Sequence, residues 1–188
     1  MITWYDITIG KFNLIKDLDL TDIEGQIRMI EVITGEDLDN LPLTQLRGLT
    51  EQISFLSESI PETLVKSHYD LNDHAYDCRT NIAEMSVSQY MDFTNLSKEN
   101  DLIKILGVFL IPEGKSYGEY DIEQVYKDIE CMSIVDAYAV FNFFKVQFVA
   151  CYKTMEDFLD TQMKKGKMSK EFRRTVLDIM DSYCTLDQ

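Results

Sequence analysis

The sequence predicts a mainly α protein of α+β type: a helical bundle with one long helix in its C-terminal half and an inserted β-hairpin near residues 65–79. Three observations predict it. Apolar residues recur at spacings of three and four along most of the chain, which places them on one face of successive helices. Between Val65 and Cys78 the period drops to two, the repeat of a half-buried strand. From Ser133 to about residue 163 the three-four spacing then runs on without interruption. The 188 residues are 45% apolar and include ten Phe and ten Tyr, which excludes a wholly disordered chain and suffices for one domain over 1–188. Its expected parts are a helical hairpin (21–60), the β-hairpin (65–79), a helical core (86–163) and a basic-capped terminal helix (164–188).

In the first twenty residues, Ile2, Trp4 and Ile7 suit an extended segment, and Phe12, Ile15 and Leu18 a short helix. Thr21-Asp22-Ile23-Glu24 has the form of a capping box, in which the Thr and Glu side chains satisfy each other's backbone N–H groups. Ile23, Ile27, Ile30 and Val32 or Ile33 follow, and Gly35 stops that helix. The next begins at Leu43 or Thr44 and carries Leu46, Leu49, Ile53 and Leu56. It ends before Pro61, because a proline drives the preceding residue out of the helical region. These two helices make the predicted helical hairpin.

In the β-hairpin, Val65, Ser67, Tyr69 and Leu71 alternate with His68 and Asp70, and His74, Tyr76 and Cys78 alternate on the return. Asn72-Asp73 is a serviceable two-residue turn, since Asn and Asp tolerate positive φ. Ser86 and Gln89 then form a capping box ahead of Val87, Tyr90 and Phe93. Leu102 to Ile111 is apolar on almost every side and reads as a central helix surrounded by others, closed by Pro112. Residues 112–118 read as an exposed loop, and Asp121 with Gln124 opens a short helix through Ile122, Val125 and Ile129. Ser133 with Asp136 caps the long helix, whose stripe is Ile134, Ala137, Phe141, Phe144, Phe148, Cys151, Met155 and Phe158. Tyr138, Tyr152 and Leu159 make the stripe wider than a two-stranded seam, so it packs against several helices. After Gly166, Ser169 caps a last helix carrying Phe172, Val176, Ile179 and Tyr183.

Cys78, Cys131, Cys151 and Cys184 are too far apart in sequence to make a zinc knuckle or redox pair, so free thiols are expected. Cys131 and Cys151 fall within helical patterns as small hydrophobes. The N-terminus lacks the pattern of a secretory signal, and the longest apolar run, Ile105 to Ile111, is far short of the roughly 20 residues of a membrane span. No membrane partner is expected.

Catalytic chemistry finds little support. His68, His74 and Cys78 with Asp70, Asp73 and Asp77 are metal-ligand types, but an Asn72-Asp73 turn sets Leu71 opposite His74, Tyr69 opposite Tyr76 and Ser67 opposite Cys78. His68 then faces Asp77 on the other surface, and the histidines point apart. The acidic pairs Glu36-Asp37 and Glu156-Asp157 are ordinary among 33 acids. There is no Gly-rich phosphate loop, nucleophile elbow or HExxH spacing. The expectation is no enzyme, no metal and no cofactor.

Charge is more informative. Net charge is -15, which repels phosphate backbones and makes sequence-specific nucleic-acid binding unexpected. Residues 1–163 carry -17, whereas 164–188 carry +2, and all six bases of that segment, Lys164, Lys165, Lys167, Lys170, Arg173 and Arg174, lie together. They suit a solvated helix C-terminus. They also suit self-assembly, in which a basic edge meets the acidic side of a neighbour head to tail and the series closes into a ring.

Several stretches resemble small proteins of tailed bacteriophages: Leu41-Pro-Leu-Thr-Gln-Leu46 leading into Ile53-Ser-Phe-Leu56, Met85-Ser-Val-Ser-Gln-Tyr-Met91, Leu102 through Gly114, and Met132-Ser-Ile-Val-Asp-Ala-Tyr138. The similarity covers about residues 20–160. It is closest to the structural proteins of crAss-like phages that form rings between portal and tail, and next to phage tail-assembly chaperones. The resemblance implies a virion component of the neck region, assembled in the host cytoplasm. Its partners would be copies of itself, the portal and neighbouring neck or tail proteins, with packaged DNA sliding past an acidic lining. It implies no active-site residues. An assembly chaperone is the second expectation and an acidic inhibitor mimicking nucleic acid the third.

Overall fold

The computed structural model describes residues 2–19, 21, 23–38, 42–99, 101–167 and 169–175. In chain order its helices are α1 (Ile9–Ile15), α2 (Ile23–Thr34), α3 (Leu43–Gln52), α4 (Val87–Leu96), α5 (Leu102–Phe109), α6 (Ile122–Glu130) and α7 (Ile134–Lys164). The strands are β1 (His68–Leu71), β2 (His74–Cys78) and β3 (Leu110–Pro112). The fold is therefore mainly helical with a small antiparallel sheet in the order β1-β2-β3.

The apolar run at the centre of the sequence forms the centre of the molecule. α5 packs against α4, α6 and α7 and buries Ile105, Leu106, Val108 and Phe109. Gly107 lets α6 come close, since a Cβ there would meet the Tyr126 ring at 2.7 Å. Phe109 stacks on Phe144 of α7 with ring centroids 3.6 Å apart, and Phe93 of α4 stacks on Phe148 at 4.3 Å. The N-terminal segment is stitched to the turn between α6 and α7: Ile9 N–H donates to Met132 C=O and Ile134 N–H to Ile7 C=O, at 2.9 and 2.7 Å. Ile7, Ile9, Met132 and Ile134 are consequently all but inaccessible.

The sequence predicts a helix through Ile111, but the helix ends at Phe109. Leu110 to Pro112 leave the helix and pair with β2, Leu110 opposite Cys78 and Ile111 opposite Asp77. A short stretch apolar on all sides fits a buried strand as well as a buried helix. Here the free edge of β2 decides, because its backbone groups gain partners that a further helical turn would not supply.

The hairpin has the predicted register, with Leu71 opposite His74, Tyr69 opposite Tyr76 and His68 opposite Asp77, and Cys78 N–H donating to Ser67 C=O. Asn72 and Asp73 take positive φ, 49° and 64°. Its strands begin at His68, later than the alternation from Val65 suggested. The capping box of Ser86 and Gln89 is complete, and Gln89 also donates its side-chain amide to Val108 C=O. Ser133 caps α7. Asp121 caps α6, whereas Gln124 turns away from the cap to Asp128.

Among the described residues α2 packs on α1, because Ile30 and Ile33 join the core cluster that α1 also enters, while the link of the predicted helical hairpin over 21–60, residues 39–41, lies outside the described residues. The Thr21 hydroxyl donates to Asp19, while Asp22, within the predicted capping box of Thr21 to Glu24, lies outside the described residues. Cys131 and Cys151 are exposed rather than packed, one just past the end of α6 and the other beyond the core-facing turns of α7; Cys78 alone of the described thiols is buried.

Candidate functional site

Sequence reasoning passed over Asp128, which the fold makes the best-connected carboxylate in the described chain. It is fully buried on α6, one turn after Gln124, and the hairpin turn lies over it. One oxygen, Oδ1, accepts from the side-chain amides of Asn72 at 3.2 Å and Gln124 at 2.9 Å. The other, Oδ2, accepts from the Tyr76 hydroxyl at 2.6 Å and from His74 Nδ1 at 2.8 Å, which fixes the histidine proton on Nδ1. Burial raises the carboxyl's pKa, but the bonds from Tyr76, Asn72, His74 and Gln124 outweigh it and hold it below the usual carboxylate range. For Tyr76, burial and then the bond to Asp128 raise the phenol's pKa. Four donors occupy the four lone-pair sites of the carboxylate, leaving none for a substrate. Asp128 is thus a clamp between hairpin and helix, and a poor general base. The i, i+4 spacing of Gln124 and Asp128 was visible in sequence; the three donors from the hairpin were not.

Above this clamp lies an open groove between the hairpin, the end of β3 and the start of α6. Ala75, Pro112, Val125 and the ring of Tyr120 give it an apolar lining, and Asp73, Glu113 and Asp121 give it a carboxylate rim. The Tyr120 hydroxyl is buried without a hydrogen-bond partner among the described residues, and burial pushes its pKa up to about 12.

The histidines point apart as the register required: His68 pairs with Asp77 at 2.7 Å, and His74 reaches Asp128. Among the described residues no group of three or more His, Cys, Asp or Glu side chains is placed to hold a metal ion.

The second feature is the distal half of α7. Its first turns bury Ile134, Val135, Ala137, Val140 and Phe144, but Val146 is 65% exposed, Val149 54% and Phe158 53%. By length and composition alone α7 could cross a membrane, with mean hydropathy 1.4 over 18 residues. Asp136, Asn142, Lys145 and Gln147 break up that stretch in the sequence, which is why no long apolar run announced it. Ile134, Val135, Ala137, Val140 and Phe144 belong to the main core cluster, and Asp136 holds Lys66 at 2.9 Å, so in this fold the helix is committed to the bundle at one end.

At its other end α7 closes in a Schellman motif. Gly166 has φ 68°, its N–H donates to Met163 C=O, and Lys167 N–H donates to Gln162 C=O. Of the six predicted interaction residues, Lys164, Lys165, Lys167 and Lys170 are exposed around this turn. Arg173 is different: the chain folds back after Ser169, and the guanidinium binds Asp160 and approaches Glu156 of α7 at 3.7 Å. Arg174 is exposed and also engaged in an interaction. The predicted Val176, Ile179 and Tyr183 of the last helix lie outside the described residues. Compared with protein-family models, curated proteins and solved structures, the chain matches none.

Proposed function

We propose that this chain is a non-enzymatic structural protein of a bacteriophage virion, one subunit of an oligomeric ring at the junction of portal, neck and tail. The observation that carries the assembly part of this reading is the distal half of α7. This part of the helix exposes Val146, Val149 and Phe158 to water in the lone chain and ends in four exposed lysines on a protein of net charge -15. Covering these exposed side chains against other subunits returns the hydrophobic stabilisation that the isolated fold forgoes, about 25 cal/mol per Å² of apolar surface. The phage context rests on the sequence resemblance.

The caged Asp128 supports a passive role, since the best-buried carboxylate among the described residues is spent on holding the hairpin in place. Partners are further copies of the chain, the portal and adjoining neck or tail proteins, without a membrane and without sequence-specific contacts to DNA. Mass spectrometry of purified virions tests the reading: the protein should be present in stoichiometric amounts. Light scattering after size exclusion should show a multimer. Presence in infected cells with absence from particles would overturn it. That outcome would favour a tail-assembly chaperone, a reading to which the exposed Val87, Tyr90 and Met91 of α4 lend support as an apolar holding surface.

A further inference from the structure

Resting on the ring reading, we infer that the groove lined by Ala75, Pro112 and Val125 is the docking site for the lysine turn of a second copy of this chain. Charge complementarity selects the occupant. The groove's rim carries Asp73, Glu113 and Asp121, and among the described residues its lining includes no lysine or arginine. Lys164, Lys165, Lys167 and Lys170 supply the opposite charge, all exposed at the end of α7 and just beyond the Schellman closure at Gly166. The aliphatic stems of lysines suit an apolar lining while their ammonium groups reach a carboxylate rim.

The turn cannot fill the groove of its own chain. α7 has 31 residues, and a straight helix of that length spans about 46 Å. Asp121 and Ser133 bracket α6, a helix of nine residues, so they lie within about 20 Å of each other. The lysines are therefore roughly 25 Å or more from the groove beside Asp121. Donor and acceptor are different surfaces of one molecule, so the contact is heterologous, the kind that propagates around a ring.

The experiment is a charge swap followed by light scattering or sedimentation at low ionic strength. Glu113 is exposed and its structural bond is made by its backbone N–H, to Ala75 C=O, so the variant Glu113→Lys should keep the fold, as circular dichroism would confirm. Glu113→Lys should weaken self-association about tenfold or more, as should Lys167→Glu, and the double variant should recover most of the loss. A wild-type multimer that is indifferent to Glu113→Lys would overturn this docking site and leave the ring reading standing. A wild-type protein that stays monomeric at all accessible concentrations would overturn both.

Discussion

Replacing Asp128 by alanine removes the acceptor from four donors at once, and their surroundings set the cost. Tyr76 is 2% exposed, so its hydroxyl loses a bond to a charged acceptor with no water to replace it, about 1.5–3 kcal/mol. Asn72, His74 and Gln124 are exposed and recover much of their bonding from solvent, leaving about 0.5–1 kcal/mol each. The expected total for Asp128→Ala is about 3–6 kcal/mol, a large part of the stability of a domain this size. Urea unfolding at neutral pH, followed by circular dichroism, measures it through the shift in midpoint at constant slope. The pH dependence supplies an independent check. Because the folded-state pKa of Asp128 is depressed, its contribution is fully present above the unfolded value of about 3.9 and is lost as pH falls through the folded value. The stability gap between wild type and variant should therefore close in acid below about pH 4. A loss under about 1 kcal/mol at neutral pH, or a gap that is the same at pH 3 as at pH 7, would refute the clamp.

Other perturbations test the packing around the clamp. Phe144→Ala removes a ring that is 1% exposed and stacked on Phe109, and should cost about 3–5 kcal/mol in the same urea assay. Gly107→Ala drives a Cβ into the Tyr126 ring. It should destabilise by about 1–2 kcal/mol despite alanine's better helix propensity, and a smaller residue at 126 should relieve it. Burial pushes the Cys78 thiol up to about 12, so at pH 8 a thiol reagent should label the exposed Cys131 and Cys151 quickly and Cys78 only on unfolding, as peptide mapping would show.

Local rules were legible residue by residue. Ser86, Asp121 and Ser133 start helices because their side-chain oxygens satisfy backbone N–H groups a turn ahead, and that chemistry needs no tertiary partner. The hairpin register followed from a period of two and one turn, Asn72-Asp73, for the same reason. The lysine cluster was equally visible, being contiguous in the chain. What could not be read locally were choices made by distant neighbours. Leu110 to Pro112 became a strand because β2, more than thirty positions earlier, had an edge to fill. α2 packed on α1 because side chains of both enter one core cluster.

The candidate site divides along the same line. Composition and order alone determined the helical character, the hairpin and the acidic body with a basic end, because periodicity, capping and net charge are properties of adjacent residues. Only the tertiary structure drew Asn72, His74 and Tyr76 onto Asp128, spent Arg173 on Asp160 and left the lysine turn open to solvent. Burial and charge pairing depend on which surfaces meet in three dimensions, and the same acidic side chain is a solvated charge or a buried clamp according to what folds over it.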